Sequence, residues 1–143
     1  MRTKLLTLGF ILLFTFFTGA CAKPACGNAE WQDVTWKLKS YGNPNNLQTV
    51  IGSGITLKFV SKDKSVSGNT GINGYGGTFT VNRDCTLSIS NMAWTLIGSL
   101  DANLTKQEND YLKLLQTTGK IEVTNGELNI TCGQSLMVFT RSP

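Results

Sequence analysis

The chain has 143 residues, with 13 Lys and Arg, 9 Asp and Glu, no histidine and a net charge of +4. That length suits one domain with one core. Without histidine, nucleophilic sites of the Ser-His-Asp and Cys-His kinds are excluded, and the commonest metal ligand is missing. Arg2 and Lys4 lie in the N-terminal segment, so without it the charge falls to +2. No dense Lys/Arg stripe remains, and no nucleic-acid partner is expected.

Residues 1–20 read as an export signal. Arg2 and Lys4 form a positive start, Leu5 to Phe17 is apolar, and small residues follow in "TGAC" (18–21). The apolar run is shorter than the roughly 20 residues of a membrane-spanning helix. The stretch "FTGAC" resembles the lipobox of bacterial lipoproteins, in which Cys21 would carry the lipid. Thr18 stands where Leu is usual. Two or more acyl chains make a stable anchor without a spanning helix. The alternative is cleavage near Ala20 or Ala22, which releases a secreted domain. Residues 21–30 then form a tether, and 31–143 the domain.

The four cysteines stand at 21, 26, 85 and 132, with no CxxC pair, so no zinc site is expected. Export permits disulfides. With Cys21 lipidated, three thiols remain. Cys85 and Cys132 both lie beside expected turns and could pair, although spacing alone does not fix connectivity.

"VTWKLKSY" (34–41) alternates as a half-buried strand does, and "ITLKFV" (55–60) repeats the pattern. Between them, "YGNPNNLQTVIGSG" (41–54) reads as the longest irregular stretch, the place to look for an inhibitor-type loop. "SVSGNTGINGYGGTFTV" (65–81) is rich in glycine. A phosphate loop would run strand, glycines, helix, but here "TFTV" reads as strand, so the glycines mark bends or close backbone approach. "TLSIS" (86–90) is another strand. In 104–119, Thr105 and Glu108 have capping-box spacing, Tyr111, Leu112 and Leu115 share a face, and Gly119 suits the C-terminal stop; one helix is expected. "KIEVT-NG-ELNITC" (120–132) reads as a hairpin turning at Asn125-Gly126, and "LMVFT" (136–140) closes the chain. Six or so strands and one helix make an α+β, mostly β domain: a single antiparallel, strongly bent or barrel-like sheet with one helix packed against it.

"VSGNTGINGYGGTFTV" resembles the signature V-S-G-x-x-G-C-N-x-Y-x-G of the META domain, the family of the bacterial heat-shock lipoprotein HslJ. Gly68, Gly71, Asn73, Tyr75 and Gly77 carry the match. "WKLKSY", "TLSISNMAWTLIGS" and "QENDYLKLL" resemble further family runs in the right order. The resemblance implies a small envelope domain, often a lipoprotein, linked to stress and antibiotic tolerance, with no catalytic residues to carry over. Ile72 and Ser99 stand where many members have Cys, so any redox role of that pair does not transfer.

The expectation is a non-enzymatic binding or stress-protection module without cofactor or metal. It would be held to a membrane through its N-terminal lipid on the exported side of the envelope, and would meet an envelope protein or a small ligand as a monomer. A secreted inhibitor or partner-binding domain is the alternative. Trp31, Tyr75 and Trp94 are candidates for an exposed aromatic patch, though each is expected in the core. Asp33, Asp84, Asp101 and Glu122 are scattered, and a hydrolytic carboxylate pair would need the fold to bring them together.

Overall fold

The computed structural model describes Cys26 and residues 29–143. The expected signal, the Cys21 lipidation position and most of the tether lie outside the described residues. Nine strands and one helix follow in chain order. They are β1 (Thr35–Asn43), β2 (Asn46–Thr49), β3 (Thr56–Val60), β4 (Ser65–Asn69), β5 (Gly74–Val81), β6 (Thr86–Trp94), α1 (Ala102–Leu115), β7 (Gly119–Thr124), β8 (Glu127–Cys132) and β9 (Ser135–Arg141). Every strand pairing is antiparallel, in the order β2-β1-β3-β4-β5-β6-β7-β8-β9, and β1 also pairs with β9. The sheet is therefore bent into a ring, with β2 as a short arm on β1. The expected mostly β, strongly bent antiparallel sheet with one helix is what the structure shows.

The pairings define two poles. Val60 opposite Ser65 and Val81 opposite Leu87 put the turns 61–64 and 82–85 at one end. Asn69 opposite Gly74 and Tyr75 opposite Trp94 put the loops 70–73 and 95–101 at the other. The nine residues of β6 separate the poles by about 30 Å.

The first pole is closed by aromatic rings and a disulfide. Trp31, Phe59 and Phe79 are all buried and meet edge to face, with centroids 5.0 to 5.6 Å apart. Such pairs add about 0.5–1.5 kcal/mol each beyond their burial. The indole of Trp36 donates to the carbonyl of Trp31 at 2.9 Å and fixes the entry into β1. Cys26 is bonded to Cys85, and both are buried. The expected Cys85–Cys132 pair is thus corrected: β8 carries Cys132 into the core as a free thiol. Meanwhile the segment before β1 returns to the turn that holds Cys85, with Gln32 bridged to Phe59. The expected tether, 21–30, thus includes one residue, Cys26, that the disulfide ties to the domain.

Two further expectations change. "YGNPNNLQTV" is mostly a β1–β2 hairpin turning at Pro44-Asn45, so the irregular loop shrinks to residues 50–55. The helix begins earlier than its capping-box spacing suggested. Asp101 is the N-cap and accepts from the amides of Asn103 and Leu104. Glu108 is drawn into the core instead, and Gly119 opens β7 rather than ending the helix.

Candidate functional site

The second pole is organised by the glycine-rich segment. Gly68 lies on β4 where an added Cβ would stand 2.0 Å from the carbonyl oxygen of Thr56 and 2.6 Å from the Tyr75 hydroxyl. Only a bare backbone lets that hydroxyl reach the Thr56 carbonyl, which it does at 2.9 Å. Gly71 turns the loop at φ 91°, a left-handed value that glycine adopts without strain. Gly77 faces the carbonyl of Ser90, where a Cβ would stand at 2.8 Å. These glycines serve close strand approach and a tight turn, as expected, and no helix follows them to bind an anion.

Asn73 is the hub. Its side-chain amide donates to Glu108 at 2.9 Å and to the Ile97 carbonyl at 3.1 Å. Its oxygen accepts from the Thr95 hydroxyl at 2.8 Å and the Ile97 amide at 2.7 Å. All four hydrogen-bonding positions of the amide are used. Glu108 is buried, and its carboxylate also accepts from the Thr70 hydroxyl; a buried carboxylate requires such donors. Next to it on α1, Gln107 clasps the third loop: its amide donates to the Ile51 carbonyl at 3.1 Å and its oxygen accepts from the Ile51 amide at 2.8 Å. Tyr75 donates to Thr56, so in its 2.7 Å contact with Tyr111 the Tyr111 hydroxyl is the donor. Burial holds both phenols above the ordinary tyrosine range. Signature residues and helix together bind the loops 50–55, 70–73 and 95–101 into one surface. Ile72 and Ser99 lie on two of these loops, which Asn73 joins by hydrogen bonds.

That surface is apolar. The three loops carry no charged residue apart from Asp101 at the helix cap. Leu96 and Leu100 are almost fully exposed, Ile97 is 62% exposed, and Ile51 and Trp94 are about two-fifths exposed. Of the three aromatic candidates, Trp31 and Tyr75 are buried, as expected, and Trp94 is the exception. A groove of about 260 Å³ lies between the β1–β2 hairpin and α1, lined among others by Tyr41, Gln48, Asp110 and Lys113.

The remaining carboxylates do local work. Asp33 accepts from the Ser61 amide, and Asp110 pairs with Lys106 one helical turn away. Asp84 pairs with Lys120, which with the Thr86 hydroxyl holds its carboxyl well below the usual range. Cys132 is the opposite case: burial pushes its thiol up to about 11. Among the described residues no group of three His, Cys, Asp or Glu side chains could hold a metal.

Fold and polar hub define a class: a small ring of antiparallel strands closed at one pole by a helix that the glycine segment holds. The META domain matches residues 29–143, and the chain belongs to that family. No curated protein matches it. Among solved structures, a protein from Burkholderia xenovorans determined by NMR is 20% identical with a TM-score of 0.65, covering 78% of this chain and 83% of its own. A DUF4847 family protein from Bacteroides vulgatus is 14% identical with a TM-score of 0.57, over 78% and 94% of the two chains. At those identities the likeness is one of fold.

Proposed function

We propose that the protein is an exported domain anchored by a lipid on Cys21, and that it acts by binding a partner rather than by catalysis. The observation that carries the reading is the opposition of the poles. The Cys26–Cys85 bond fixes the chain's entry at one pole, and the uncharged apolar loops stand at the other. Cys26 lies five positions after Cys21, a reach of at most about 18 Å. A lipid at Cys21 then holds the disulfide pole near the bilayer and turns the loops some 30 Å away. Exposed apolar patches of this kind mark interaction sites. The stress and envelope roles implied by the resemblance fit such a module.

The test is site-specific photo-cross-linking in cells. A cross-linker at Leu96 or Ile97 should give a discrete adduct, and one at Lys62 on the disulfide pole should not. Equal labelling at the two poles would remove the reading.

A further inference from the structure

Among the described residues, the outer edge of β6 has no strand on it beyond Leu87. β6 pairs with β5 from Leu87 to Trp94, but with β7 only through Thr86–Lys120 and Leu87–Gly119. β7 begins there because the chain has just left α1, so the two strands diverge like a wedge. A 3.3 Å contact between the Ser88 and Thr118 hydroxyls marks where the wedge closes. Past it lies a groove of about 350 Å³ lined by Ile89, Ser90, Asn91, Met92, Trp94 and Gln116.

Main-chain direction along this edge follows from its bonded neighbours. The Cys85 carbonyl accepts from the Ile121 amide, so Cys85, Leu87 and Ile89 face away from β5. The Thr95 amide donates to Gly74, so Trp94 also faces away. The outward groups of Ile89 and Trp94 meet no strand among the described residues. Natural edges are usually guarded by lysine, proline or a covering element. β6 has neither residue type, and from Thr86 to Leu100 there is no charge at all. A bulge at Asn91, with φ 52°, is the one irregularity.

We propose that this edge is a strand-addition site for an extended, uncharged peptide segment of a partner protein. This deepens the partner-binding reading and rests on it. The main chain of the segment would pair with the outward groups of Ile89 and Trp94, and apolar side chains would cover Ile89, Met92 and Trp94. Main-chain pairing gives such complexes affinity, and alternate side chains give them specificity. A charged segment would lose its hydration in the groove without meeting an opposite charge. A free segment also enters the wedge more readily than a second folded copy, whose own helix end stands beside the same strand.

The experiment is hydrogen exchange on the full chain in detergent, read over residues 88–95. One probe is a synthetic octapeptide of alternating Thr and Val; the other is the same peptide N-methylated at alternate amides. At about ten times its Kd the first probe should slow exchange there roughly tenfold, and the second should not. Ile89→Pro, which removes an outward amide, should abolish the protection; because that variant could misfold, the methylated probe carries the same comparison on the unaltered chain. Equal protection by both probes would overturn strand addition while leaving an apolar binding pole. No protection by either would overturn it outright. An edge already protected in a dimer would assign the groove to a second copy. Quenching of tryptophan fluorescence by brominated-lipid vesicles, without peptide protection, would assign it to a membrane.

Discussion

Asn73 is the residue on which the second pole depends most. It joins two loops and the helix through one amide, and truncation takes the partner from the Ile97 amide and leaves the buried Glu108 carboxylate with the Thr70 hydroxyl alone. Leaving a buried group without its partner costs about 1–3 kcal/mol, so Asn73→Ala should lose at least that much in urea unfolding. Asn73→Asp should not restore it, because a carboxylate cannot donate to Glu108 or to the Ile97 carbonyl. A near-neutral Asn73→Ala would show the hub to be ornamental. The sequence marked Asn73 only as a signature position. Its actual role is a set of partners 22 to 35 residues away, which no local pattern encodes. Cys132 gives the complementary prediction. Its thiol is buried and its pKa raised to about 11, so at pH 8 it should resist a thiol reagent in the native protein and react after denaturation. Rapid native labelling would contradict its placement.

At the scale of elements, the helix start separates local from tertiary logic. The T-x-x-E spacing at Thr105 fits a capping box, but Glu108 cannot both cap the helix and serve Asn73 and Thr70. Asp101 takes over the cap one turn earlier. Asp101→Ala should therefore cost about 1 kcal/mol, the usual loss for such a cap, with Thr105→Ala costing clearly less; the reverse order in thermal melts would restore the capping box. The Asn125-Gly126 hairpin was fully legible, because both residues take positive φ, 54° and 79°, as that turn requires. β6 was read only to Ser90, because the bulge at Asn91 breaks the alternation that identifies strands.

The Asp84–Lys120 pair links the turn before β6 to β7, next to where the two strands still touch. The folded carboxyl of Asp84 lies below its unfolded value. Its contribution is therefore present above the unfolded carboxylate range near pH 4 and fades as pH falls toward the depressed folded value. The melting difference between the wild type and Asp84→Asn should shrink on acidification through that range; a constant difference would mean that the pair contributes nothing to folding.

Across the whole molecule, one pole is locked covalently and by aromatic packing, and the other is assembled from polar bonds beneath an apolar skin. The Cys26–Cys85 bond closes a separation of 59 residues, worth about 4 kcal/mol on the chain-entropy account. Replacing both cysteines by Ser should lower stability by up to that amount, whereas Cys132→Ser should leave the crosslink intact in a non-reduced peptide map. The family, the ring of strands and the reading of the glycines as a bend were all visible in the sequence. The apolar pole was not: Leu96, Ile97 and Leu100 look like core residues until the fold shows that no described residue covers them.

Anchoring at the disulfide pole, with the other pole presented, is the proposal on which the partner-binding reading depends. The most direct test is the intact mass of the protein extracted from membranes, with and without reduction and alkylation. A mass of residues 21–143 plus acyl chains, with two thiols becoming alkylatable only after reduction, is the predicted result. An unacylated mass in the soluble fraction would contradict the anchor and leave a secreted binding domain.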